Sequence, residues 1–272
     1  MNSSTDRRRE GAAPVPRPAR KSAVAQPSRE SATARRRRAE VIAERLTAAH
    51  PHAECSLAFE NPFQLLVATI LSAQCTDKRV NMVTGDLFRR WPTPAALAAA
   101  RPRDLEAVIR STGFYRAKAK NILGCCQALV ERHEGRVPEA LPDLVRLPGV
   151  GRKTANVVLG SAFGQAEGIV VDTHVGRIAR RLGLTRHTDA VRAERDLVKV
   201  VPRDHWIGFS HRLIEHGRTI CPARSPRCDA CPLADLCPRV GVKQKKKAGR
   251  KASPPRKPTA RRPRAAAKPR HP

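Results

Sequence analysis

Residues 147–156 read LPGVGRKTAN, and this decapeptide decides how the rest of the chain is read. Gly149 and Gly151 let the backbone turn sharply and approach a neighbour closely. The stretch after them has the composition of a helix, so free N–H groups at its start offer a ready phosphate site. Three uses of glycine at such a turn compete. G-x-G-x-x-A matches part of a dinucleotide fingerprint, but no strand precedes it and no βαβ unit surrounds it. Gly-Arg-Lys-Thr matches the end of a P-loop, but the spacer after the first glycine is missing. A helix-hairpin-helix element, which grips DNA backbone without reading sequence, needs a helix on each side. Residues 143–147 and 152–163 supply them.

Outward from the hairpin the pattern stays helical. Residues 39–49 form a helix ended by His50-Pro51. Asn61-Pro62 opens the next with a cap followed by proline in the first turn. Its run FQLLVATILSAQ (63–74) is apolar nearly all round, which suits a central buried helix. Residues 78–91 follow, then short helices opened at Thr93-Pro94 and Arg101-Pro102, then 118–133. Beyond the hairpin, 175–182, 190–200 and 204–217 complete the series. Only 168–171 looks extended. The chain is therefore expected to be all-α, with short helices and brief connections.

Charge names the partner class. The chain holds 53 Lys+Arg against 24 Asp+Glu, a formal net charge of +29, which points to a polyanion, nucleic acid first. The excess sits at the ends: residues 1–38 carry 11 basic and 3 acidic residues, and residues 239–272 carry 14 basic and no acidic ones. Both stretches are Ala, Pro, Arg and Lys with few large apolar residues, so each reads as a disordered tail, either a solvated extension with no specific role or a nonspecific electrostatic anchor to phosphate. No apolar region follows the basic start, and no apolar run reaches the roughly 18 residues of a membrane span. The expectation is a soluble, cytoplasmic, monomeric protein with no membrane partner.

Eight cysteines in a large helical chain without a signal read as thiols rather than a disulfide framework. The last four, Cys221, Cys228, Cys231 and Cys237, stand as C-x6-C-x2-C-x5-C, and three of them are followed by proline. Structural zinc usually pairs two C-x2-C knuckles, and only one is present. The uneven loops favour the wider corners of a [4Fe–4S] cube. Cys55, Cys75, Cys125 and Cys126 read as buried small hydrophobes. Arg224 and Arg227, between the first two ligands, make that loop basic.

Lys153 lies near a helix N-terminus, which favours a neutral, nucleophilic amine. Nineteen residues on, in Val171-Asp172-Thr173-His174, comes Asp172. It suits an N-cap, and it also suits a carboxylate that takes the amine's proton and supports an electron-poor sugar carbon.

LPGVGRKTAN, VDTHVGR (171–177) and the four-cysteine spacing, in this order, resemble the endonuclease III family of DNA glycosylase/AP lyases. LSAQCTD (71–77) and TGFYRAKAKNI (112–122) also match family segments, so the resemblance covers roughly residues 39–238. It implies two helical domains flanking a DNA-binding cleft: a six-helix barrel with the hairpin at 57–166, and a cluster domain joining an N-terminal helix at 39–56 to 167–238. The cluster would play a structural or redox-sensing part. It implies removal of oxidised pyrimidines from duplex DNA, with the damaged nucleotide flipped out, and cleavage 3′ to the abasic site by β-elimination. Lys153 would attack C1′ and form a Schiff base, activated by Asp172. Gln74 would fill the hole left by the flipped nucleotide, and Phe114 falls where the family places a leucine wedge. Gly149, Gly151, Arg152, Arg224 and Arg227 would contact DNA backbone. An adenine glycosylase of the same fold would need a glutamate within 61–76, where there is none, and a C-terminal recognition domain that 239–272 cannot form. A noncatalytic relative would not keep Lys153, Asp172 and Gln74 together.

Overall fold

The computed structural model describes residues 30–242, so most of both basic tails (1–29 and 243–272) lies outside the described residues. Within them the chain is helical without strands: α1 Ala32–Ala49, α2 Pro62–Leu71, α3 Asp77–Arg90, α4 Pro94–Ala98, α5 Pro102–Ile109 and α6 Tyr115–His133. After these come α7 Leu141–Leu144, α8 Arg152–Phe163, α9 Thr173–Arg181, α10 Ala190–Leu197 and α11 Trp206–Thr219. Residues 168–171 are extended in appearance but pair with nothing as a strand. The helix starts are chemically specified. Asn61, Thr76, Thr93, Asp172 and Asp189 each accept a backbone N–H with the side chain, each cap contributing about 1 kcal/mol. Proline occupies the first turn of α2, α4 and α5, where its missing N–H costs nothing.

These helices bury two separate apolar cores. The first runs from Leu57 to Leu159 and centres on α2, where eight of ten residues are buried, packed on α8. The second gathers Ala39, Ile42, Ala43 and Leu46 of α1 with α9, α10 and α11. Their i, i+3, i+4, i+7 spacing puts the four on one face of α1, and that face packs against α11, more than 150 residues on. A two-domain all-α protein results, in which the N-terminal helix completes the C-terminal domain.

Several boundaries differ from the sequence reading. The first helix begins at Ala32 rather than at 39, so part of the expected tail is ordered helix. Composition hid this because 32–38 hold no large apolar residue. Alanine and arginine are nonetheless good helix formers, Ser31 caps the start, and Arg38 is held by Glu30 (2.8 Å) and the Leu182 carbonyl (2.7 Å). At the other end Val240 donates its N–H to the Arg181 carbonyl, so chain beyond 239 is tied to α9. The α2 helix stops at Leu71, three residues short of Gln74, whose φ of 53° cannot continue it. Cys125 and Cys126 are buried, but Cys55 and Cys75 are only half-buried.

Candidate functional site

Residues from both cores line a cleft of about 550 Å³, and Lys153 and Asp172 are among them. Each is placed by a helix start. Lys153 is the second residue of α8, exposed and, among the described residues, in no ion pair. Asp172 caps α9, its Oδ1 accepting from the Val175 N–H at 2.7 Å. The capping role and the cleft position coexist, because one carboxylate oxygen suffices for the cap. The hairpin ahead of α8 uses its two glycines differently. Gly149 has φ +77°, and a Cβ there would stand 2.8 Å from Asn121 Cβ, so the turn presses onto α6. Gly151, at the N-cap of α8, faces open space, which leaves the first N–H groups of the helix approachable.

Arg152 is not a free cation. Its guanidinium makes a forked pair with Glu194 of α10 (3.1 to 3.3 Å), and Asn156 Nδ2 donates to the same carboxylate at 3.1 Å. This knot ties the hairpin helix to the second domain. It also explains Gly168, where a Cβ would fall 2.3 Å from Glu194 Oε1.

Sequence reasoning missed other cleft residues. Ser161 Oγ lies 3.3 Å from His211 Nε2, and Arg218 donates to Ser56 Oγ (2.9 Å) and Asp77 (2.8 Å). Burial, then neighbouring Arg212, pushes the His211 imidazole below its ordinary range, and burial pushes the Cys55 thiol up. No local signal marks these residues, since they meet only through tertiary packing.

Gln74 and Phe114 do not line the cleft. Both are exposed at turns, with left-handed φ of 53° and 48°, and Phe114 is 68% exposed. Arg224 and Arg227 are exposed on the loop between the first two cysteines of the carboxy-terminal set, on either side of Ser225 (φ 51°).

Cys221, Cys228, Cys231 and Cys237 line one concavity together with Arg181, His216 and Leu233. Among the described residues no three His, Cys, Asp or Glu side chains stand close enough together to hold a single metal ion. The surroundings fit thiolates. Arg181 donates to Cys221 Sγ at 3.1 Å and to the carbonyls of Pro222 and Ala223 at 2.8 Å, and His216 Nε2 lies 3.5 Å from Cys231 Sγ. Arg177 adds a bond to the Cys221 carbonyl. Burial pushes the Cys231 and Cys237 thiols up. Arg177 and Arg181, one turn apart on α9, escaped the sequence reading because most of their partners are backbone carbonyls of a remote segment.

Comparison with known proteins identifies the family. The family described as HhH-GPD superfamily base excision DNA repair protein matches residues 67–203. The iron-sulfur binding domain of endonuclease III matches residues 221–237, so these cysteines form the iron–sulfur loop, the [4Fe–4S] site. Endonuclease III from Synechocystis sp. is 55% identical over 189 residues, covering 70% of this chain and 86% of the relative. Its counterpart in Escherichia coli K12 is 44% identical over 190 residues, covering 70% and 90%. A solved non-covalent endonuclease III–DNA complex superposes with a TM-score of 0.69 at 46% identity, covering 73% of this chain and 93% of that one. A trapped endonuclease III–DNA covalent intermediate gives 0.68, also at 46%, covering 72% and 92%. With identities this high over most of each relative's length, the chain belongs to the endonuclease III family of base-excision DNA repair proteins.

Proposed function

We propose that the cleft is the active site of a bifunctional DNA N-glycosylase and AP lyase acting on oxidised pyrimidines and abasic sites in duplex DNA. One observation carries the reading: the Lys153 amine shares the cleft with the Asp172 carboxylate and is in no ion pair among the described residues. An everted nucleotide presents C1′ to Lys153. Nζ forms a bond to C1′ as the C1′–base bond breaks, and the departing base takes up a proton. The amine's own proton passes to Asp172, whose charge supports the cationic sugar. Ring opening gives the imine between Lys153 and C1′. Loss of a C2′ proton then expels the 3′ phosphate, and water releases the unsaturated sugar from Lys153. A related endonuclease III was trapped as a covalent DNA intermediate, which supports a covalent step.

Gln74 and Phe114 enter the duplex from their exposed turns, Gln74 into the gap left by the flipped nucleotide and Phe114 as the wedge. The amides after Gly149 and Gly151 hold backbone phosphate at the start of α8. Arg224 and Arg227 contact backbone from the iron–sulfur loop, while Arg152 acts through its Glu194 pair and orients the hairpin. The cluster, when bound, orders the loop that carries Arg224 and Arg227. The enzyme works as a monomer.

Borohydride trapping on an abasic duplex tests the assignment. The wild type is expected to give a covalent adduct and Lys153→Ala none. Undiminished adduct in that variant overturns the reading. Asp172→Asn keeps a cap-competent side chain, so its expected loss of about 100-fold in turnover separates chemistry from folding.

A further inference from the structure

Lys118 is the buried lysine among the described residues, 4% exposed. Its Nζ donates to the carbonyl of Leu71 and to that of Thr112, each at 2.8 Å. Leu71 is the last residue of α2, and Thr112 is the last of the 3-10 turn Arg110–Thr112 beyond α5. Both acceptors therefore sit at the C-terminal, negative end of a helical segment, where carbonyls lack partners and a cation is favoured. Among the described residues no carboxylate pairs with the ammonium, and burial pushes its pKa down. The group is held by these carbonyls alone.

Just past the two carbonyls the chain makes a pair of similar turns. Three residues after Leu71 is Gln74, and two after Thr112 is Phe114. Each is exposed, and each is a non-glycine residue in the left-handed region. Such conformations cost on the order of 1 kcal/mol and persist only where the surroundings fix them. Of the other left-handed non-glycine residues, Glu134 stands at the end of α6, and Ser225 and Arg239 lie in the segment around the carboxy-terminal cysteines. The turns at 74 and 114 are fastened to one shared buried amine, Lys118.

We propose that Lys118 is a positioning residue that locks the Gln74 turn to the Phe114 turn, so that both side chains enter the duplex at a fixed separation. It is buried too deeply to touch DNA, and it acts only through those two residues. The inference rests on the reading of Gln74 and Phe114 as the inserting pair. Removing the amine leaves both helix-end carbonyls unpaired and lets the turns drift apart. A misplacement of about 1 Å in such an arrangement is worth up to about 100-fold in rate.

The test compares two substrates with the full-length, cluster-loaded protein. One is a fully paired duplex with a central abasic site, where a stack must be opened and filled. The other has the same abasic site opposite a run of mismatches, a bubble with no stack to fill. Single-turnover trapping of Lys153 is measured on both, and the duplex-to-bubble ratio cancels any inactive fraction. Lys118→Met is expected to lower the ratio at least about tenfold. Lys118→Gln, which keeps two N–H donors, should restore part of it. The glutamine variant also stands in if the methionine variant does not fold. An unchanged ratio, whether both rates fall together or neither falls, overturns the proposal. Gln74→Ala and Phe114→Ala test the underlying reading in the same assay. If they leave the ratio at the wild-type value, the inserting-pair reading falls and takes this proposal with it. If they lower it and Lys118→Met does not, only the assignment of Lys118 falls.

Discussion

The first domain and the iron–sulfur loop of the second are held together by different chemistry. Around α2 the first domain is a conventional apolar core, with Leu65, Leu66 and Leu71 fully buried. In the second, the stretch from Cys221 to Cys237 has Leu233 as its buried aliphatic anchor, and arginines do most of the fastening. Arg45 reaches the Pro232 carbonyl (3.0 Å), Arg38 the Leu236 carbonyl (3.2 Å), Arg177 that of Cys221 and Arg181 those of Pro222 and Ala223. A guanidinium offers several donors in a rigid fork, so one side chain satisfies several loop carbonyls that no secondary structure pairs. Where apolar side chains are scarce, the chain substitutes cationic donors and a metal cluster. That contrast makes the two regions separately breakable.

Leu66→Ala should do the most damage. The side chain is fully buried at the centre of the first core, and such truncations cost about 2–5 kcal/mol. Guanidinium unfolding would show a lowered midpoint, while iron per folded chain stays at the wild-type level. Iron lost in proportion, under conditions where the protein is folded, would show that the cores are not separately sustained and would erase the comparison.

Arg181→Met is the converse and is expected to be milder in stability. Residues that hydrogen-bond to metal ligands typically change metal affinity by about 10–100-fold when removed. Iron retention against a chelator should fall by that order, with little change in the unfolding midpoint of the helical signal. A variant that keeps its iron would mean that Arg38, Arg45 and Arg177 hold the loop without Arg181.

How much of this was legible in the sequence divides along the same line. Apolar periodicity, helix caps and glycine turns are local, so α2 with its Asn61-Pro62 start and the hairpin before Lys153 could be read directly. The cysteine spacing was equally local. Arginine clamps are not, because their acceptors are backbone carbonyls contributed by remote segments, and carbonyls are the same in every sequence. The ARRRR stretch at 34–38 therefore read as tail although Arg38 is bound between Glu30 and the Leu182 carbonyl. Arg152 read as a free phosphate ligand because nothing near it announces Glu194, which reaches it from α10. Lys118 lay inside a recognised segment, yet its burial and its two carbonyl partners are visible only in three dimensions.

The seam between the regions gives the smallest and most diagnostic effect. Ser161 belongs to α8 on the side of the first core, and His211 belongs to α11 in the second. Burial, and then the charge of Arg212, holds the His211 imidazole below its ordinary range, with Glu54 opposing them. The unfolded chain takes up a proton near pH 6.5, and the folded protein does so only at lower pH. The contribution of His211 is thus fully present above that pH and is lost as pH falls from it toward the lower folded value. Wild-type unfolding midpoints should drop between pH 7.5 and 5.5 by more than those of His211→Gln, the difference being on the order of 0.5–1 kcal/mol. Shared carboxylates titrate alike in both proteins and cancel. Parallel decline in the two would mean that acid does not act at the seam, and that the two domains meet there as loosely as two solvated surfaces.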